Sequence, residues 1–157
     1  MNTAVVYASK HGCTAEVAQQ IAEGLTDQVD LINLADAVPD LSSYATLVLG
    51  TAIYVGKPRK AMKELVNSGV LTNQRIGLFV CGMQEEPETR QAELAAAYPE
   101  ALRDRSVAVA FLGGQFRFSR MSRMERFVIK RLGLAKGDVE ALDRVGIARF
   151  IEQLNNA

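Results

Sequence analysis

Short apolar runs and longer amphipathic runs alternate along the chain. "TAVVYA" (Thr3–Ala8), "VDLIN" (Val29–Asn33), "ATLVLG" (Ala45–Gly50), "RIGLFVC" (Arg75–Cys81) and "SVAVAFLGG" (Ser106–Gly114) are short and almost continuously apolar, which predicts buried strands. Between them the period changes. Val17, Ile21 and Leu25, with Ala18 and Ala22 beside them, form one helical stripe over Thr14–Leu25. Pro58–Ser68 is a second predicted helix: proline suits a first turn, where its missing N–H has no partner to lose, and Gly69 is a natural stop. Glu86–Tyr98 is a third, ended by Pro99, and Ser119–Leu132 a fourth. The last is Gly137–Leu154, with Asp138 as N-cap and an apolar face on Val139, Leu142, Val145, Phe150 and Leu154. Ala35–Tyr44 reads as a loop or a short helical piece.

Strand and helix thus alternate five times, and the strands are apolar on both faces. This pattern predicts an α/β fold, a doubly wound five-stranded parallel sheet covered by helices on both sides. Ligands in such folds bind beyond the carboxyl ends of the strands, so candidate chemistry is sought in the loops that follow them.

Length and composition narrow the picture. A chain of 157 residues predicts one domain, large enough to bury a core without disulfides or metals. The formal net charge is zero, which predicts neither nucleic-acid binding nor an acidic carrier surface. Cys13 and Cys81 are far apart and make neither a metal-ligand spacing nor a disulfide framework; reduced thiols in a cytoplasmic protein are the expected state. No apolar run approaches the roughly 20 residues of a membrane helix, and the first residues lack the basic start and apolar stretch of a signal peptide. The neutral total conceals an asymmetry. Arg117, Arg120, Arg123, Arg126, Lys130, Arg131 and Lys136 fall between Gly113 and Lys136 with Glu125 as the one acid, so that segment carries +6 and the rest −6.

Three loops at the predicted carboxyl edge hold the candidate residues. "SKHGCT" (Ser9–Thr14) joins the first strand to a helix amino end, where unpaired N–H groups and a partial positive charge favour an anion. Ser9 and Thr14 add hydroxyls and Gly12 permits a tight bend; the alternative is an ordinary turn with Thr14 as N-cap. The loop has neither GxGxxG nor GK(S/T), which excludes the dinucleotide and nucleoside-triphosphate fingerprints. "GTAIYVGKP" (Gly50–Pro58) has small residues against which a flat ring can lie, and a Tyr54 that either stacks on that ring or packs on a neighbouring loop. "CGMQEEP" (Cys81–Pro87) is the third. Its Glu85 and Glu86 are ordinary loop carboxylates, and no general base is assignable.

These loops together resemble the flavodoxin-type FMN domains, over nearly the whole chain. The phosphate loop of that family reads (S/T)-x-T-G-x-T; Ser9, Gly12 and Thr14 match, and His11 stands in place of a threonine. "GTAIYVGKP" is similar to the G-(A/S/T)-(A/S)-I-x-x-G loop of one branch, the menaquinone-dependent protoporphyrinogen oxidases, and so is "GGQFRFSRMSRMERFVIKRLGL". The resemblance implies a flavodoxin-like sheet of order 2-1-3-4-5. It implies FMN held at the phosphate by Ser9, Lys10, His11, Gly12, Cys13 and Thr14, and at the ring by Thr51, Ala52, Ile53, Tyr54, Gly56, Gly82 and Met83. It further implies oxidation of protoporphyrinogen IX, an anionic porphyrinogen, in heme biosynthesis, with menaquinone or a redox partner protein as acceptor. Lys57, Arg59, Lys60, Arg120, Arg123 and Arg126 then contact substrate or the inner face of the membrane, or are solvated helix charges. The basic helix, with Met121, Met124, Val128 and Leu132 in one stripe, either lies on an anionic membrane surface or packs that stripe on the sheet. A flavodoxin-like electron carrier without its own substrate, and a domain that has lost FMN, are the alternatives.

Overall fold

The computed structural model describes residues 2–9, 12–36, 40–116, 122–131 and 139–157. Five parallel strands form the main sheet: β1 (Asn2–Ala8), β2 (Gln28–Asn33), β3 (Thr46–Tyr54), β5 (Arg75–Cys81) and β6 (Ala108–Phe111). Their order is β2-β1-β3-β5-β6, with a two-residue strand β4 (Lys57–Pro58) turned back on β3. Counting parallel strands alone, this is the expected 2-1-3-4-5 arrangement. The winding reverses between β1 and β3, and the crevice beyond their carboxyl ends is where such sheets place ligands.

Side chains alternate across this sheet, as the pleat requires. Ala4, Val6, Leu47, Leu49, Ile76, Leu78 and Val80 face one layer, with Met62 and Leu65 of α2 (Lys60–Asn67), Leu94 and Ala97 of α3 (Pro87–Ala97) and Leu102 of α4 (Glu100–Arg105). Val5, Val48 and Phe79 face the other, with Val17 and Ile21 of α1 (Cys13–Gly24) and Phe150 and Leu154 of α6 (Arg144–Asn155). The Phe79 and Phe150 rings meet edge to face, 5.9 Å between centroids. Tyr98 is fully buried between α3 and α4, and its hydroxyl stands 3.1 Å from the Leu49 carbonyl and 2.8 Å from the Phe79 carbonyl.

Four expectations need correction. Pro58 does not open a helix: it lies in β4, and α2 begins two residues later. The third strand continues past Gly50 to Tyr54. The fifth splits at Leu112, so that Gly113–Phe116 becomes β7 of a separate ribbon, paired antiparallel with β8 (Val139–Leu142). Within the predicted last helix, Val139–Leu142 is therefore extended chain. "VEAL" satisfies a period of two as well as one of 3.6, and β7 supplies the backbone partners that decide it. The helix starts where Asp143 accepts a hydrogen bond from the Gly146 N–H at 2.8 Å, which leaves Val145 exposed instead of on the apolar face. Asp138 lies outside the described residues.

Between β7 and β8 the chain makes an excursion that carries α5 (Arg123–Arg131), the described part of the basic segment. Ser122 and Glu125 form a reciprocal cap at its start: the Glu125 N–H donates to Ser122 Oγ at 3.2 Å, and the Ser122 N–H donates to Glu125 Oε1 at 3.4 Å.

Candidate functional site

The first loop is described at Ser9 and from Gly12 onward. The Gly12 N–H donates to Ser9 Oγ at 3.0 Å, which folds the loop back on the end of β1. Gly12 has φ 89°, a left-handed conformation that a β-carbon would strain. Gly12, not Thr14, is the N-cap of α1, and having no side chain it leaves the first turn uncapped. The N–H groups of that turn and the positive end of the helix dipole thus face the loop. The Thr14 hydroxyl is completely buried there and has no hydrogen-bond partner of good geometry; the Cys81 sulfur, a weak acceptor, lies beside it. An uncapped helix end and an orphaned buried hydroxyl on one turn fit a ligand that brings its own oxygens, such as a phosphate. Lys10 and His11 lie outside the described residues.

The second loop is a hairpin. β3 ends at Tyr54, turns through Val55 (φ 51°) and Gly56 (φ 75°), and returns with Lys57 opposite Tyr54. Two central residues with positive φ make a type I′ turn, which matches the twist of paired strands. Val55 is β-branched in a left-handed conformation, at a cost of about 1–2 kcal/mol, and it is exposed at the tip. Ala52, Ile53 and Tyr54 are half-buried along the wall behind it. Thr51 is not on that wall surface: it is fully buried, and its Oγ1 accepts from the Arg59 N–H at 3.0 Å and donates to the Ala52 carbonyl at 3.2 Å. It ties the hairpin to the start of α2. Gly50 is also reassigned. The flat ring against its backbone is that of Phe79, because a β-carbon on Gly50 would stand 1.9 Å from Phe79 Cζ.

The third loop is held from two sides. The Gly82 N–H donates to the Gly113 carbonyl at 2.9 Å, and Gly114 packs so closely that a β-carbon there would lie 2.8 Å from the Gly82 oxygen. Met83 is half-buried, and Glu85 and Glu86 are exposed. From below, Arg90 donates through Nε to the Gln84 carbonyl at 2.6 Å and lays its guanidinium over the Phe111 ring, 4.7 Å from the centroid. One turn further along α3, Glu93 is buried with Oε2 unpartnered. That oxygen is 3.3 Å from the point where a Gly82 β-carbon would stand. Burial pushes the Glu93 carboxyl up from its ordinary range, and the Arg90 charge only partly opposes this. Sequence reasoning missed both residues. Their spacing of three on a helix puts them on one face, yet nothing in the sequence distinguishes that face from a solvated one.

The cationic candidates divide into three groups. Arg59 and Lys60 line an open cleft of about 350 Å³ together with Ser9, Asn33 and Ala35, so they stand beside the phosphate loop. Lys60 also makes an exposed contact with Glu64 at 3.7 Å. Lys57 is exposed on the hairpin, across from Tyr54. Arg123 is exposed and Arg126 half-buried on α5, and Arg120 lies outside the described residues. Burial first, and then the charge of Glu125 on α5, push the Tyr54 hydroxyl's pKa up. Of the α5 stripe, Met124 is 77% exposed and does not pack on the sheet, while Val128 is half-buried; Phe127 beside the stripe is 63% exposed. Among the described residues, no helix is long and apolar enough to cross a membrane.

Comparison with known proteins agrees with this geometry. The flavodoxin from Fusobacterium nucleatum, solved with flavin mononucleotide bound, superposes with a TM-score of 0.56 at 18% identity, over 99% of this chain and 93% of that one. A flavodoxin from the domain Archaea gives 0.51 at 18% identity, over 85% and 94%. A search of curated proteins finds no match. A family profile described as "Flavodoxin domain" matches residues 4–141. With its 2-1-3-4-5 parallel sheet and a family profile matched over residues 4–141, this chain belongs to the flavodoxin domain family.

Proposed function

We propose that this chain binds FMN and acts as an FMN-dependent oxidoreductase. The observation that carries the reading is the first turn of α1, uncapped at Gly12 and holding the orphaned Thr14 hydroxyl. The N–H groups at the start of α1, with Ser9 and Thr14, hold the phosphate; a dianion there gives the buried Thr14 hydroxyl the hydrogen-bond partner it lacks within the chain. The Ala52–Tyr54 wall and the Gly82–Met83 loop receive the ring. Bound there, FMN supplies the redox chemistry, and the protein supplies its position and surroundings. Tyr54 offers an aromatic face, and Glu93 keeps a buried carboxyl directly behind Gly82. Titration of the purified chain with FMN, followed by flavin absorbance and fluorescence, tests this. One FMN per chain is expected, with binding lost in Gly12→Val while far-ultraviolet circular dichroism is retained. A wild-type chain that stays colourless overturns the reading.

The proposal extends to the substrate. The resemblance of "GTAIYVGKP" and of the late basic stretch to menaquinone-dependent protoporphyrinogen oxidases supports an anionic porphyrinogen as electron donor and menaquinone as acceptor. Lys57, Arg59, Lys60, Arg123 and Arg126 supply cations around the candidate site for the donor's carboxylates. Exposed Met124 and Phe127 among the arginines of α5 suit an anionic bilayer surface, where a quinone dissolves. Anaerobic incubation with protoporphyrinogen IX and a menaquinone, read by porphyrin fluorescence, tests the substrate. A flavin-loaded chain that forms no porphyrin yet passes single electrons between redox proteins is a carrier instead. Vesicle pelleting tests the membrane side: equal pelleting by wild type and an Arg120/Arg123/Arg126→Ala variant removes it.

A further inference from the structure

The open cleft of about 350 Å³ beside the phosphate loop has a lining of one chemical kind. Among the described residues, its side-chain polar groups are donors with a single exception. The Ser9 oxygen already accepts the Gly12 N–H at 3.0 Å, so its own hydrogen is left to donate. The Asn33 Oδ1 accepts the Ala35 N–H at 3.0 Å, so its amide has its NH₂ left over. Arg59 and Lys60 add a guanidinium and an ammonium, and the exception is Glu64, 3.7 Å from Lys60. Two cations and one carboxylate leave one net positive charge, which suits a monoanion better than a dianion. The rest of the lining is apolar: the methyl groups of Ala8, Ala35 and Ala61. The volume falls in the range of small-molecule pockets, about 300–1,000 Å³. Arg59 is fixed from behind, because its N–H donates at 3.0 Å to Oγ1 of the buried Thr51, the residue before the Ala52–Tyr54 wall.

We propose that this cleft binds the aliphatic carboxylate arm of an organic acid, as an anion subsite separate from the helix end at α1. The Arg59 guanidinium takes the carboxylate, whose two oxygens match its planar pair of N–H donors. Lys60, Asn33 and Ser9 supply further donors, and the alanine methyls cover the methylene chain that carries the carboxylate. Phosphate is the poorer occupant. As a dianion it exceeds the net charge of the cleft, and Glu64 repels it about twice as strongly as it repels a carboxylate. Thr51 ties Arg59 to the wall that receives the ring, so the bound acid is the electron donor of the FMN reading. The donor's identity rests on that reading; binding of a carboxylate does not.

The test is amide NMR of the isotope-labelled full chain, titrated at constant ionic strength with butyrate, its neutral analogue butyramide, and inorganic phosphate. Butyrate is expected to shift Asn33, Ala35, Arg59 and Ala61 with a millimolar dissociation constant. Butyramide is expected to leave them in place, and phosphate to bind there more weakly than butyrate. Arg59→Gln is expected to weaken butyrate about tenfold, the loss of one hydrogen bond between charged groups. Glu64→Gln is expected to narrow the preference for butyrate over phosphate. Both variants keep the backbone N–H that Thr51 holds, so the fold is retained. No shift of the cleft residues, equal shifts with butyramide, tighter binding of phosphate, wild-type affinity in Arg59→Gln or an unchanged preference in Glu64→Gln overturns the proposal. Repeating the titration with FMN present separates the claims. Unchanged butyrate affinity supports a separate subsite, whereas displacement of butyrate by FMN makes the cleft part of the cofactor's own site and overturns it. If the chain takes up no FMN but binds butyrate, the flavin reading fails and the carboxylate site stands. In the anaerobic donor assay Arg59→Gln is expected to raise KM about tenfold with kcat retained, and an unchanged KM overturns the donor's identity.

Discussion

The parallel sheet and the excursion between β7 and β8 are two kinds of structure in one short chain. In the sheet, Val5, Leu47, Val48, Leu49, Ile76, Leu78 and Phe79 are completely buried, and each contact is shared with a strand neighbour and a helix. In the excursion, α5 exposes Met124 and Phe127 and draws its local order from the Ser122–Glu125 cap. The sheet is held by packing that tolerates no added atom. The excursion is held by its own cap and by its paired ends. The first kind positions the loops; in the second, the described residues of α5 carry charge and contribute no residue to the core.

The sharpest way to break that contrast is to add one atom to the sheet. Gly50→Ala puts a β-carbon where the Phe79 ring stands and is expected to cost about 3 kcal/mol or more, read by urea denaturation. Val55→Asn acts at the hairpin, the boundary between the two regions. Asparagine adopts a left-handed turn far more readily than valine, so it is expected to stabilise by about 1 kcal/mol, read by the same method. If Val55 also shields the ring, FMN affinity falls as stability rises.

Glu93→Gln sharpens the comparison from inside the core. A carboxyl with a raised folded pKa supports the fold fully only below its ordinary value of 4.5. As pH rises the unfolded chain ionises first, and stability is lost until the folded carboxyl ionises too. The substitution is therefore expected to stabilise by about 1 kcal/mol at neutral pH and by less in acid, seen in denaturation midpoints across pH. A gain that is flat with pH removes the buried charge as its cause. The smallest effect is expected for Met124→Ser with Phe127→Ser, within about 0.5 kcal/mol of wild type. A large loss there shows that α5 packs on something essential, and that the two regions are one.

Legibility followed the same division. The central strands β1, β3 and β5 were readable because burial on both faces leaves a nearly continuous apolar run. The turn into α1 at Gly12 was readable because a strand-to-helix turn has few solutions. The β3–β4 hairpin was not: Pro58 satisfies the rule for a first helical turn, and Val55 disobeys the preference that marks type I′ turns. The ribbon strand β8 was hidden because four residues fit either period until a partner is known. Glu93 is a product of tertiary packing. A glutamate in an alanine-rich helix carries no local sign that it will be buried against a loop of the site.

The β7–β8 pair has a consequence for how such a protein can change. The excursion leaves after Phe116 and re-enters at Val139, and these two residues face each other across the ribbon. Its ends are thus clamped side by side whatever lies between them. Doubling the length of a connection between fixed ends costs only about 0.6 kcal/mol, so an insertion between Phe116 and Val139 is expected to leave the paired ribbon strands in place.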